Sequence, residues 1–156
     1  MENALGRIRS IADYQFGKGV GAKLFPENVE IVYSKTTGRI RYLNLKGKRL
    51  ATLRPTDGLL SLSITAARLI AEKAAFAKCF VTAQKDVSAF IADGGDVFAA
   101  HVVKADEAIG AKDEVIVVDD DNRVLAVGRA LLSSMEMKAF KIGVAVKVRH
   151  GCAKES

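Results

Sequence analysis

The sequence predicts an α+β fold in two consecutive modules, one over residues 1–75 and the other over residues 76–156. The chain has 156 residues, of which 49% are apolar and 27% are charged, a composition typical of a folded globular protein. Short strand-like segments alternate with a few helix-like ones along its length. Near residue 75 this pattern starts again and the charge balance changes sign, so we place the module boundary there.

The first module is predicted to be mixed α/β and to begin with a helix over residues 4–16, where Ile8, Ala12 and Phe16 recur at helical spacing. The next segment, FGKGVGAKLFP, contains three glycines and is predicted to be a loop. Four strands follow, VEIVYS, RIRYLNL, RLATLR and LLSLSI. A helix over residues 65–75, capped by Ser63 or Thr65, ends the module.

Strand alternation predicts which side chains of these strands face the core. In LLSLSI the apolar side chains Leu60, Leu62 and Ile64 fall on one face. In RIRYLNL strict alternation places Ile40 and Tyr42 on one face and Leu43 on the other, so neither face is purely apolar.

The second module is predicted to be a small mixed barrel. Its strands read KCFVTA, DVFAAHVV, EVIVV, RVLAVGRA and GVAVKVRHG, with short helices at DVSAFIAD and SMEMKAF. Gly94 and Gly95 separate the first of these helices from a strand, a position typical of a left-handed helix cap and turn. The three residues Asp119, Asp120 and Asp121 are predicted to form a hairpin turn, because a metal site needs more ligands than this turn offers.

Positive charge is concentrated in the first module. The net charge is +6, but residues 1–75 hold 13 Lys and Arg against 6 Asp and Glu, whereas residues 76–156 hold 11 against 12. A run without any acidic residue contains Lys35, Arg39, Arg41, Lys46, Lys48, Arg49 and Arg54. A run of one sign predicts an anionic partner, most commonly nucleic acid, with solubility charge as the alternative.

Several other classes of protein are disfavoured. The stretch MENALGRIRS lacks the basic start and apolar block of a signal peptide, and no apolar run is long enough for a membrane span, so we expect a cytoplasmic protein. Cys79 and Cys152 are too few for a zinc site and are expected to be free thiols, with a disulfide as the alternative. No nucleophile is paired with a base, so we expect no catalytic residue, no metal and no cofactor.

Phe98 is expected in the core, with stacking on a base as the lesser alternative, and His101 is expected to bond a backbone carbonyl.

Three stretches of the second module, in order, are FIADGGDVFAAHVV, DEVIVVDDDNRVLAVGRALLSSMEM and KIGVAVKVRHG. In type and order they resemble a PUA domain, the small RNA-binding pseudobarrel of tRNA- and rRNA-modification enzymes. In the first module, ADYQFGKGVGAKLF, SKTTGRIRYL and LATLRPTDGLLSLS are similar to the module that precedes the PUA domain in archaeal tRNA-guanine transglycosylase. That enzyme exchanges a guanine in the tRNA D-loop for the archaeosine precursor.

The resemblance implies an α/β pre-PUA module followed by a PUA β-pseudobarrel, and tRNA binding as the function. The family's catalytic (β/α)₈ barrel needs about 200 residues or more, which 156 residues do not supply beside these modules. We therefore expect a non-catalytic subunit or helper in archaeosine modification, with a separate transglycosylase chain as its partner. In the family the PUA domain grips the acceptor stem and the 3′ CCA end of tRNA.

Three other functions are open at this point. The PUA module could serve a protein of ribosome assembly or translation initiation, with rRNA as its target. A small hydrolase using His101 or His150 is the enzyme alternative, and an adaptor that binds protein and no RNA is the third.

The resemblance and the charge pattern together give a set of expected RNA-binding residues. Lys147 and Arg149 alternate with valines on the last strand, so both should point out of the barrel about 6.6 Å apart, a spacing that suits successive phosphates. The amide groups of Gly94 and Gly95 are expected to approach the RNA backbone. The set in the second module is Lys85, Gly94, Gly95, Asp96, Arg129, Lys147, Arg149 and His150. In the first module it is Arg39, Arg41, Lys48 and Arg49, with Lys46 beside them.

Overall fold

The computed structural model describes residues 3–154, which divide into two compact units between Ala77 and Lys78. Both units combine helices with an antiparallel or mixed sheet, which confirms the predicted α+β class. The first unit has a four-stranded sheet, and the second has a six-stranded sheet that is nearly closed.

Within the described residues, the first unit contains three α-helices and four strands. The helices are α1 (Ala4–Phe16), α2 (Val20–Leu24) and α3 (Ile64–Lys73), and the strands are β1 (Glu30–Tyr33), β2 (Ile40–Leu45), β3 (Lys48–Leu53) and β4 (Leu60–Leu62). The strands lie in chain order in an antiparallel sheet. The Ser63 side chain accepts a hydrogen bond from the Ala66 N–H at 3.1 Å and so caps α3, as predicted. The buried side chains of Leu60, Leu62 and Ile64 also match the prediction.

Helix α2 lies within the segment that was predicted to be a loop. The glycine inside this helix serves close packing, because a Cβ on Gly21 would lie 2.2 Å from the carbonyl oxygen of Arg9 in α1. The Asp13 carboxylate accepts a hydrogen bond from the Gly21 N–H at 2.7 Å and ties the two helices together. Glycine count alone signals a loop, whereas here it marks a helix–helix contact.

Strand β2 departs from strict alternation because of irregular pairing with its neighbours. Val32 pairs with Tyr42 and Tyr33 pairs with Ile40, so Arg41 is an extra residue opposite β1. As a result Ile40 and Leu43 are both buried, while Tyr42 is half-buried on the other side of the sheet.

The part of the second unit that the structure describes contains six strands and two α-helices. The strands are β5 (Phe80–Ala83), β6 (Val97–Phe98), β7 (Val102–Ala105), β8 (Glu114–Val118), β9 (Val124–Ala130) and β10 (Val144–Gly151). The helices are α4 (Ser88–Ala92) and α5 (Ser134–Ala139). The sheet order is β6-β10-β9-β8-β5-β7, with only the β5–β8 pair parallel among the described strands. The core between them is aliphatic and includes Val81, Ile91, Val115, Val117 and Val146.

The predicted continuous strand DVFAAHVV is two strands joined by a 3₁₀ turn at Ala99–His101. Before the turn β6 pairs with β10, and after it β7 pairs with β5 at the other end of the sheet. The turn therefore carries the chain from one edge of the sheet to the other, which is what nearly closes the barrel. Alternation along an uninterrupted strand cannot reveal such a switch of partner.

Candidate nucleic-acid interface

The double glycine forms the C-terminal cap of α4. The N–H of Gly94 donates to the carbonyl of Ile91 and the N–H of Gly95 donates to the carbonyl of Phe90, each at 2.9 Å. Gly94 has φ +105°, so this is the hydrogen-bond pattern of a Schellman cap. The predicted cap and turn are thus present. Both amides are already bonded to the helix, so the expected amide contacts to RNA are not available.

Close packing explains why side chains are absent at this junction. A Cβ on Gly95 would lie 2.3 Å from the Phe90 ring, which covers it. A Cβ on Gly151, at the end of β10, would lie 2.2 Å from the carbonyl oxygen of Ala92 and 2.7 Å from the nitrogen of Gly94. The outer side of Gly94 is open, since a Cβ there would meet nothing within 4 Å. A ligand can therefore approach the backbone at Gly94 beside the end of β10.

Asp96, which directly precedes β6, contacts two residues of the neighbouring strand β10. One carboxylate oxygen accepts a hydrogen bond from the Val148 N–H at 2.9 Å, and the other lies 3.5 Å from the Lys147 amine. The Lys147 side chain is 67% exposed and that of Asp96 is 25% exposed, so the ion pair is weak and open to competition by another anion. Asp96 holds Lys147 at the edge and would itself repel a phosphate.

Arg129 lies between Lys147 and Glu114 in adjacent strands of the sheet. Its Cα pairs with that of Lys147 in β10 on one side and with that of Glu114 in β8 on the other. Arg129 is exposed, and among residues 3–154 it has no ion-pair partner. Side chains of directly paired residues share a face, so Arg129 and Lys147 form one exposed cationic pair. We call this pair the β9–β10 edge.

Arg149 has a different environment from the one expected. It is an extra residue of β10, because Val148 pairs with Gly128 and His150 pairs with Val127. Its guanidinium reaches toward β8 and binds both carboxylate oxygens of Glu114, with Nη1 at 2.9 Å from Oε1. The Glu114 side chain is fully buried and that of Arg149 is 33% exposed. Lys147 and Arg149 therefore reach in opposite directions and do not form the expected ladder for successive phosphates.

The remaining expected contacts of this unit are exposed. Lys85 lies in the 3₁₀ turn Lys85–Val87, and His150 lies near the end of β10. Phe98 was expected in the core, but it is 41% exposed, because β6 is an edge strand and only Val97 faces inward. The ring of Phe98 packs edge-on against that of His101, with centroids 6.2 Å apart.

Gly128 is an important residue that the sequence analysis did not single out. A Cβ at this position would lie 2.2 Å from the carbonyl oxygen of Lys147 in the adjacent strand. The glycine therefore permits the close approach of β9 to β10 just beside Lys147. An isolated glycine within a strand pattern is the available sequence signal for such a contact.

The acidic hairpin between β8 and β9 is a turn held by Asp119. Its carboxylate accepts hydrogen bonds from the N–H groups of Asp121 and Arg123, each at 2.9 Å, and from the Arg123 side chain at 3.0 Å. Oxygens of Asp119, Asp120 and Asp121 lie within 4.8 Å of one another, but those of Asp119 are occupied by these bonds. The predicted hairpin turn is confirmed.

Both cysteines are free, as expected, and Cys79 is buried. Burial raises the pKa of the Cys79 thiol, and the nearby carboxylates of Asp106 and Glu114 raise it further. The thiol is therefore protonated at neutral pH and unsuited to act as a nucleophile.

The basic residues of the run from Lys35 to Arg54 lie on the strands and turns of the first unit. Arg39, Arg41, Lys46, Lys48 and Arg49 are all exposed. Arg54 is different, because its guanidinium forms an ion pair with Asp57 at 3.0 Å, just beyond the run that lacks acidic residues. No helix within residues 3–154 is long and apolar enough to cross a membrane.

Family comparisons match both units. Residues 6–76 match the patch-forming domain C2 of tRNA-guanine transglycosylase, and residues 80–152 match the PUA domain. The tRNA-guanine(15) transglycosylase of Methanobrevibacter smithii is 40% identical over 150 residues, which are 96% of this chain and 23% of that protein. The enzyme of Pyrococcus furiosus is 43% identical over 150 residues, or 25% of its length. The chain thus spans about a quarter of the length of the curated relatives it matches.

Solved structures match almost the full length of this chain. A hypothetical protein from Pyrococcus horikoshii is 27% identical with a TM-score of 0.77, and the match covers 97% of this chain and 91% of that one. A conserved PUA domain protein from Thermoplasma acidophilum is 22% identical with a TM-score of 0.68 over 97% and 90% of the two chains, which shows a shared fold.

Proposed function

This chain is a PUA-domain protein that resembles the C-terminal part of archaeal tRNA-guanine transglycosylase, and we propose that it binds tRNA as a non-catalytic subunit or helper in archaeosine modification. Its place of action would be the cytoplasm, where tRNA is modified. The proposal takes from the relatives their printed activity on tRNA and from the structure a surface that suits RNA.

The observation that carries the proposal is the β9–β10 edge. Arg129 and Lys147 lie side by side on paired strands, both exposed, and the only anion on Lys147 among the described residues is Asp96 at 3.5 Å. A phosphate that replaces Asp96 at the Lys147 amine gains a charge-assisted hydrogen bond at the cost of a weak surface pair. Two adjacent cations thus offer a place for an RNA backbone.

The residues around this edge would complete the RNA site. Gly94 leaves room for close approach, Asp96 positions Lys147, and the exposed side chains of Lys85 and His150 add donors. Arg149 would contribute through its positive charge, since 33% of its side chain is exposed. We propose that this surface holds the acceptor stem and 3′ CCA end, because proteins read RNA chiefly at single-stranded ends and by shape.

A separate chain would supply the chemistry. The matched region is about a quarter of each relative, and we propose that a transglycosylase catalytic domain on another chain acts on the RNA that this chain delivers. The exposed cations Arg39, Arg41, Lys48 and Arg49 of the first unit would hold phosphates of the tRNA body.

The test is a binding competition with the unaltered protein. Labelled tRNA is bound at two salt concentrations and then competed with unlabelled tRNA, tRNA lacking CCA and an rRNA fragment of equal length. The proposal expects salt-sensitive binding for which intact tRNA is the best competitor. Equal competition by the rRNA fragment would point to ribosome assembly or translation, and no RNA binding at either salt concentration would favour a protein adaptor.

A further inference from the structure

Two guanidinium groups converge on the ring of Tyr42 on the outer side of the β2–β3 hairpin. The Cζ atom of Arg49 lies 3.6 Å from the ring centre, and that of Arg41 lies 5.3 Å from it. Both are within the range of cation–π attraction. The pKa of Tyr42 is lowered chiefly by its hydrogen bond with Arg41 and by the charge of Arg41; burial opposes this, and the charge of Arg49 adds the least. Two positive charges are thus held together on one aromatic surface.

Asn44 fixes the direction of Arg49. It is the direct cross-strand partner of Arg49 in β3 and of Glu30 in β1. The Nε group of Arg49 donates to the Asn44 side-chain oxygen at 2.9 Å, and the Asn44 amide donates in turn to Glu30 at 3.3 Å. The Glu30 carboxylate is therefore linked to the guanidinium through a neutral amide and does not bond to it directly.

The terminal nitrogens of Arg49 remain available for a ligand. Within residues 3–154 only its Nε atom has a hydrogen-bond partner, so Nη1 and Nη2 can both donate outward. An arginine held by a stacked ring and a bond to Nε presents its fork in one orientation, and that fork matches the geometry of a phosphate. Exposed Lys46 and Lys48 extend the positive surface.

We infer that Tyr42 and Asn44 are positioning residues, which hold Arg49 and Arg41 on the outer face of β2 and β3 in an orientation that receives an RNA phosphate. The inference rests on the RNA binding proposed above and adds to it the two residues that orient the arginines. The site lies on an open sheet surface, which suits a phosphodiester chain that passes across it.

The decisive variant is Asn44→Asp. It keeps the size of the side chain but places a carboxylate on Arg49, so the guanidinium gains an internal anion and loses its attraction for phosphate. Asn28→Asp is the matched control, because Asn28 is an exposed residue of the same unit and the change in charge is identical. A second pair is Tyr42→Leu, which removes the stacked ring, and Tyr42→Phe, which keeps it.

Binding of tRNA is measured for these variants across a series of salt concentrations. We expect Asn44→Asp to weaken binding about tenfold and to reduce the slope of log K against log salt by about 1. Thermal unfolding is measured alongside, because the new carboxylate also faces Glu30 and loses the hydrogen bond that Asn44 donates to it. We expect Tyr42→Leu to weaken binding about threefold, whereas Tyr42→Phe should bind about as the parent does. Arg129→Ala in the second unit is measured alongside as a reference for the other proposed surface.

Different results separate the two proposals. If Asn44→Asp binds as Asn28→Asp does while Arg129→Ala is weakened, the inference is overturned and the proposed function stands. If Tyr42→Phe fails to restore the binding lost in Tyr42→Leu, the stacked ring is not what positions Arg49, and the inference is overturned in that respect. If the unaltered protein binds no tRNA, both the proposed function and the inference are overturned.

Discussion

The guanidinium of Arg149 in β10 binds the buried carboxylate of Glu114 in β8, across the intervening strand β9. Burying a carboxylate is costly unless a cation compensates it, so this pair links three strands of the barrel. Arg149 therefore contributes mainly to the stability of the barrel, and its proposed contact with RNA is secondary.

Removing the Arg149 side chain should therefore destabilise the second unit. We predict that Arg149→Ala lowers the free energy of unfolding by about 2 kcal/mol, less than for a fully buried pair because a third of the Arg149 side chain is exposed. Glu114→Gln in the Arg149→Ala background should restore part of the loss, since it removes the buried charge. Urea unfolding measures both effects. Unchanged stability in Arg149→Ala would show that the pair contributes nothing.

The close approach of β9 and β10 predicts unequal effects of two glycine substitutions. Gly128→Ala should cost about 3 kcal/mol, because the new Cβ would overlap the Lys147 carbonyl oxygen and push the strands apart. Gly94→Ala should cost about 1–2 kcal/mol, the cost of a side chain at φ +105° in open space. Thermal unfolding ranks the two variants. A Gly128→Ala protein as stable as Gly94→Ala would contradict the strand packing described here.

Because the Asp119 carboxylate holds the acidic hairpin, the stability of the second unit should depend on pH. Burial alone raises the pKa of Asp119, but the backbone N–H groups of Arg123 and Asp121 and the Arg123 guanidinium together lower it below the ordinary value. A carboxyl whose pKa is lowered by folding adds stability above about pH 4, and this stability is lost as the pH falls through the lowered pKa. Asp119→Asn should therefore be less stable than the parent at neutral pH and approach it in acid.

The measurement is native-state hydrogen exchange of amides in β8 and β9 at neutral pH and near pH 3. Asp120→Asn is the control, because the exposed Asp120 side chain makes none of the hydrogen bonds that hold the turn. A stability difference between parent and Asp119→Asn that stays constant with pH would exclude the charge of Asp119 as its origin.

Substitution of Asp96 should increase the affinity of the protein for RNA. Asp96→Asn keeps an acceptor for the Val148 N–H but removes the negative charge beside Lys147. We expect tRNA binding to strengthen about threefold at low salt, because phosphate no longer competes with a carboxylate for Lys147. The measurement is a titration of labelled tRNA. Weaker binding in this variant would show instead that the Asp96 carboxylate supports RNA binding, either by positioning Lys147 or as a direct contact, as first expected from the sequence.

Local signals in the sequence were sufficient for the helices and hairpins. The spacing of apolar residues gave the range of α1, and Ser63 marked the start of α3. The features that were missed depend on contacts distant in the chain. Helix α2 rests on the packing of Gly21 against Arg9, and the break at Ala99–His101 exists because the chain changes its pairing partner.

The same distinction applies to the candidate site. Charge pattern and resemblance were enough to propose Arg129 and Lys147 as RNA contacts. They could not show that Arg149 pairs with Glu114, 35 residues away in sequence, or that the amides of Gly94 and Gly95 are already bonded. Both facts depend on contacts that exist only in the folded barrel.

The most direct test of the account is tRNA binding by the double variant Arg129→Ala/Lys147→Ala, measured with tRNA that has or lacks its 3′ CCA, at two salt concentrations. Both residues are exposed and lie outside the Glu114–Arg149 pair, so the variant should remain folded. The account predicts that the parent prefers tRNA with CCA, and that the variant loses this preference and about two units of salt slope. A folded variant that binds both RNAs as the parent does would contradict the β9–β10 edge as the site that holds the tRNA end.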